Sequence, residues 1–154
     1  MATKADFTPE EWGLIYWAPK AAAGTIMEAD LTFMSAAKET IAVMKAGNAA
    51  REKYPNNKVI QDLIPKARMK DEPVVAEPKS PFPGLNSDQV VAKVKEAVTL
   101  MQAKAPQEAA EYKAFCLELA NVAANASGEG FLGTGKAVSA KEQAVLDKLA
   151  AALA

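Results

Sequence analysis

The chain contains no histidine, and that absence removes more function classes than any residue present. Imidazole is the base of serine and cysteine triads and a standard ligand of zinc and haem, so those chemistries have no carrier here. The single cysteine, Cys116, can neither close an internal disulfide nor build a zinc or iron-sulfur cage, and it agrees with a reducing compartment. No apolar run approaches the ~20 residues of a membrane span, and Met1-Ala2-Thr3-Lys4-Ala5-Asp6 lacks the basic and then apolar regions of a signal peptide. A cytoplasmic protein without membrane insertion is expected. An excess of one charge is missing too: 18 basic residues face 19 acidic ones, so no global field recruits nucleic acid or acidic membrane. Any chemistry falls to carboxylates, Lys, Tyr, Ser or backbone amides, and any metal to oxygen ligands. No cofactor is expected, and no constellation of acid, base and nucleophile marks an enzyme.

What is present is helical periodicity in a chain of 154 residues, half of them apolar, which suits one domain with a proper core. Thr8-Pro9-Glu10-Glu11 places a hydroxyl at a helix cap, proline at the first helical position and a carboxylate that reaches back to the cap amide. The first helix carries Trp12, Ile15, Tyr16, Ala22 and Ile26 on one face, and Pro19 within it predicts a kink or break near Trp17 and Ala18. Leu31, Met34, Ala37, Ile41 and Met44 form the apolar stripe of a second helix, which Gly47-Asn48 should end. A third, from about Asn57 to Ala67, presents Val59, Ile60, Leu63 and Ile64. Residues 69–86 are rich in proline and charge and read as a connector.

Asn86 or Ser87 caps the next helix, whose Val91, Val94, Val98, Met101 and Ala105 follow the three-four spacing of a bundle seam. Pro106 opens a fifth helix with the face Tyr112, Phe115, Cys116, Leu119, Val122, Ala123 and Ala126. Ser139-Ala140-Lys141-Glu142 is a capping box before a last helix with Val145, Leu146, Leu149 and Leu153 inward. No segment reads as a strand. The expected fold is all-α: a single-domain helical bundle of about five to six helices over residues 1–154. A gapless alignment of Ala18–Ala46 onto Ala120–Lys148 adds the further expectation of two pseudo-repeated helix-loop-helix hairpins.

Residues 128–136 hold four of the eight glycines and nearly match two phosphate motifs. Gly128, Gly130 and Gly133 read as G-x-G-x-x-G, and Gly130 to Lys136 as G-x-x-x-x-G-K. Both motifs need a strand before them and a helix directly after, whereas here a helix comes first. The second also lacks the hydroxyl that holds magnesium, because Ala137 follows the lysine. The loop is therefore read as a hairpin connection in which Gly128 ends the fifth helix with positive φ. Its functional alternative is an anion site built from Gly130, Gly133, Gly135 and Lys136 with the helix N-terminus near Ser139.

The stretch Ala120-Asn121-Val122-Ala123-Ala124-Asn125-Ala126, a glycine-containing turn, Ser139-x-x-Glu142 and an apolar helix resembles the repeated helical hairpin of tellurite-resistance, TerB-like domains over residues 118–153. That resemblance implies an all-helical fold with a metal bound in the loop after an alanine-rich helix. It would assign Glu129 and Glu142 as oxygen ligands. This chain has Gly128-Glu129-Gly130 where the family favours Asp-Gly. Glu142 at its spacing also serves the capping box, a role that needs no metal.

Other features carry a structural and a functional reading. Lys45, Arg51, Lys53, Lys58, Lys66, Arg68 and Lys70 make one stretch locally basic, either a solvated face or a phosphate contact; no specific nucleic-acid motif accompanies them. Pro78-Lys79-Ser80-Pro81 fits a stiff linker or a P-x-x-P ligand. Trp12, Tyr16 and Trp17 with Met27, Met34 and Met44 are core, or they line a pocket for a flat ligand or a partner helix. Glu28 and Asp30 suit a cation or a helix cap. Trp17 lies off its neighbours' stripe, and with Tyr16 it is the candidate interface. The expected function is a non-enzymatic interaction or self-association module, with a protein partner or a homo-oligomer. The alternative is a small anion- or metal-binding domain built on the loop 128–136.

Overall fold

In the computed structural model the chain forms a short 3-10 turn at Lys4–Asp6 and six helices, with no strand among the described residues. These residues are 1–29, 33–64, 76–126 and 138–154, with only the backbone described for 33–37. The helices are α1 (Pro9–Ala29), α2 (Phe33–Lys53), α3 (Lys58–Leu63), α4 (Ser87–Lys104), α5 (Pro106–Ala126) and α6 (Ala140–Leu153). They make an all-α bundle with α5 at its centre: α1, α2 and α4 pack most heavily on it, and α6 covers the end where α1, α4 and α5 meet. Helix α2 leans on α5 and touches α1 little, so α1 and α2 do not close into a packed hairpin.

The starts of the helices follow local chemistry. Thr8 accepts from the Glu11 amide at 3.2 Å while Glu11 accepts from the Thr8 amide at 2.8 Å. Asn86 and Gln89 exchange the same pair at 3.0 Å each, and Ser139 with Glu142 at 3.2 and 2.8 Å. Each pair satisfies two amides that a helix start otherwise leaves to water. Asn57 caps α3 from the residue before it, accepting from the Ile60 amide at 3.1 Å.

Four departures from the sequence expectations have physical reasons. Helix α1 runs unbroken through Pro19. Proline removes the bond to the carbonyl four residues back, that of Ile15, and this carbonyl accepts instead from the Tyr112 hydroxyl at 2.8 Å in the buried centre of the bundle. Helix α2 does not end at Gly47-Asn48 but continues to Lys53. A terminating glycine adopts positive φ, which among the described residues only Gly84 does. Helix α3 stops at Leu63, short of the expected Ala67, with Ile64 already extended.

The fourth departure is the orientation of α2. Ile41 and Met44, expected inward, are 55% and 63% exposed, while Glu39 and Ala50 are buried on the same helix. The core that α2 meets on α5 is closed by alanines and by Tyr54, which stacks edge-on against Phe115. The connector is no free linker either. Its described part, 76–86, straps across α1: the Trp17 indole donates to the Pro78 carbonyl at 2.7 Å, the Lys79 carbonyl lies over Gly13, and Phe82 is buried.

Candidate functional site

The strap, α1 and α2 frame a cleft of about 310 Å³. Its floor is α5, through Phe115 and Leu119, and its end wall is the close of α3, Leu63 and Ile64. Pro19 of α1 and Val43 of α2 form the sides, with Met44, Gly47 and Asn48 along the α2 lip. An apolar cavity of this size with polar groups at one rim is the usual form of a small-ligand site.

That rim is a closed set of partners. Tyr16 donates its hydroxyl to Glu77 Oε1 at 2.7 Å, and Lys20 Nζ reaches the same oxygen at 3.2 Å. The ammonium also lies over the Tyr16 ring at 3.9 Å and the Trp17 ring at 4.5 Å. Burial, then the carboxylate, raises the ionisation of Tyr16 well above the usual tyrosine range. The Tyr16 hydrogen bond, assisted by Lys20, holds Glu77 below the usual carboxylate range.

The outward face of α2 adjoins this cleft through Met44. Lys38, Ile41, Lys45, Asn48 and Glu52 recur at the three-four spacing of one helix face, and all are exposed. Ile41, Lys38 and Lys45 also border a groove of about 430 Å³ that reaches Asn125 and Ala126 at the end of α5. A wider groove of about 670 Å³ lies between the N-terminal turn and the strap, floored by Phe7 and Trp12.

The residues singled out in the sequence are not brought to one place. Gly130, Gly133, Gly135, Lys136 and Glu129 lie outside the described residues, as do Gly128, Asp30, Lys66, Arg68 and Lys70. Glu142 is buried and exchanges hydrogen bonds with Ser139 at the start of α6. Tyr16 is buried and Trp17 half-buried, and both meet the strap of their own chain through their polar atoms. Of the basic stretch, Arg51 donates to the Gln61 carbonyl at 2.8 Å and to the Ile64 carbonyl, neutralising the C-terminal end of α3. Lys53 pairs with Glu118 at 2.7 Å. Cys116 is fully buried, and burial pushes its thiol up to about 12. Among the described residues no group of three or more acidic or cysteine side chains comes together to hold a metal.

Sequence reasoning named Tyr16 and Met44 as pocket candidates but missed the cleft, because its lining comes from five separate segments. The one local signal was Gly47, a glycine inside a helix. No family model, curated protein or solved structure matches the chain. Among the described residues no helix is long and apolar enough to cross a membrane.

Proposed function

We propose that the chain is a non-enzymatic helical interaction module that associates with a second copy of itself through the outward face of α2. One observation carries this reading: α2 turns the large apolar side chains of Ile41 and Met44 to solvent. A helix that packs only against its own bundle gains by turning its large apolar side chains inward, and exposing two of them forfeits their burial. The arrangement has a rationale when the outward face is itself covered in an assembly. Lys45 and Glu52 lie exposed on the same face and offer both signs of charge to the rim of a contact with a second copy. Hydrophobic contact at the centre with charge pairing at the rim is the usual anatomy of such a contact.

The supporting chemistry is otherwise that of a scaffold. The chain has no histidine, and its one thiol is buried. Sedimentation equilibrium is expected to return a mass above the 16.3 kDa of one chain. The double variant Ile41→Asp, Met44→Asp is expected to return the monomer mass with its helicity intact, because both side chains are exposed. A strictly monomeric wild-type protein at millimolar concentration would sink self-association.

A further inference from the structure

We infer that the cleft between α1, α2, α5 and the strap binds an uncharged, mostly aliphatic or monocyclic molecule bearing one hydroxyl group. The two readings share Met44 and Asn48, which lie on the lip of the cleft and on the outward face of α2, and the probes below read the cleft itself through Gly47 and Trp17.

Gly47 is the first support. A glycine inside a helix costs roughly 0.5–1 kcal/mol relative to alanine and is kept where the backbone or a close neighbour demands it. Neither applies here. Gly47 has no positive φ, and a Cβ built on it meets nothing within 4 Å. What its missing side chain does leave is room, because it stands on the lip of the cleft. At Gly47 the cleft therefore reaches the helix backbone itself, with no side chain between.

The rim decides the chemistry of the occupant. Lys20 and Glu77 already neutralise each other at 3.2 Å, with the Tyr16 hydroxyl spent on the same carboxylate oxygen. A carboxylate entering the cleft competes with Glu77 for Lys20, and an ammonium competes with Lys20 for Glu77. Either exchange trades one exposed ion pair for another, so the rim holds no unmatched charge to draw an ionic head group in. A hydroxyl avoids that conflict: it accepts from one of the remaining Lys20 protons and donates to Glu77 Oε2, leaving the existing pair in place. Away from that rim the lining is apolar, through Pro19, Val43, Phe115 and Leu119, except for the uncharged amide of Asn48 on the α2 lip. A volume of about 310 Å³ holds on the order of ten water-sized groups, which matches a chain or ring of eight to ten carbons and excludes a long acyl chain or a nucleotide.

Three eight-carbon probes differing only in head group test this: 1-octanol, octanoate and octylammonium, titrated into the full chain and followed by amide and indole proton shifts. Saturable shifts at Gly47 and at the Trp17 indole are expected with octanol, at an affinity at least tenfold above either ion. Gly47→Leu fills the cleft and is expected to lower octanol affinity at least tenfold while the melting temperature holds or rises. Gly24→Leu is the matched control, because a Cβ at Gly24 also meets nothing within 4 Å, on a helix position away from the cleft; it is expected to bind octanol as the wild type does. The inference is overturned if octanol fails to saturate, if an ion binds as tightly, or if Gly47→Leu retains wild-type affinity. Loss of binding in Gly24→Leu overturns it equally, as the mark of unspecific apolar uptake.

Discussion

At the scale of single residues, the most consequential contact joins Tyr112 to the backbone of Ile15 across 97 residues of sequence. The carbonyl it satisfies is the one that Pro19 deprives of an amide, and the surrounding Ile15, Pro19 and Tyr112 are all fully buried. A buried carbonyl without a donor costs about 1–3 kcal/mol, so the hydroxyl is what lets α1 carry a proline in its middle without a break. Tyr112→Phe is expected to destabilise the protein by that amount. In a Pro19→Ala background the helix supplies its own amide to Ile15, and the same Tyr112→Phe change is expected to cost about half as much or less. Denaturant unfolding of the four proteins measures the coupling; equal costs in both backgrounds would show that the hydroxyl does not replace the missing amide. Nothing near Pro19 in the chain announces this partner, which is why a kink is the natural reading of α1 from its sequence.

Among the elements, the strap is the one whose state controls the candidate site, because it contributes Glu77 to the rim of the cleft. It is held by the Tyr16 and Trp17 bonds and by close approach to Gly13, where an added Cβ falls 2.6 Å from the Lys79 carbonyl oxygen. Gly13→Ala sets two effects against each other. Alanine improves helix propensity by roughly 1 kcal/mol, but the overlap with a backbone oxygen forces the strap off α1 and breaks both bonds. The second effect is expected to win, with a lower melting temperature, red-shifted Trp17 emission and faster proteolysis within 76–82. A gain in stability with unchanged emission would mean that the strap slides without loss.

The contrast between elements also shows how far the sequence could be read. The starts at Thr8, Asn86 and Ser139 were legible because a capping box is complete within four residues. The seam of α4 was legible because Val91, Val94, Val98 and Met101 carry their period in the chain itself. The orientation of α2 was not: Ile41 and Met44 have the spacing of a buried face, and periodicity marks an apolar face without saying which way it points. The cleft was hidden for a related reason, since Gly47 reads as a stop signal until the helix around it is seen to continue.

For the molecule as a whole, the three tyrosines of the chain tie the bundle together at its major contacts. Tyr16 binds α1 to the strap, Tyr54 approaches Glu118 of α5 at 3.2 Å from the end of α2, and Tyr112 binds α5 to α1. Burial is the leading cause that raises the ionisation of each, with a carboxylate adding to it at Tyr16 and Tyr54. Lys53, hydrogen-bonded to Glu118, is raised as well. The unfolded chain loses these protons around the ordinary tyrosine value of 10.0, whereas the folded chain keeps them to higher pH. The contribution of these groups to stability is therefore complete below about pH 10 and falls as pH rises beyond it, because there the unfolded state binds fewer protons than the folded one. Each tyrosine adds at most one proton to that difference, so the three together set how steeply stability falls. Phenolate absorbance near 295 nm and helical circular dichroism, followed together in an alkaline titration, are expected to change in one cooperative step above the midpoint of free tyrosine. A gradual phenolate transition near pH 10 with the helices retained would mean that the hydroxyls do not hold the bundle together. Tyr112→Phe, which removes the most deeply buried of the three, is expected to make the alkaline transition less steep even as it lowers stability at neutral pH.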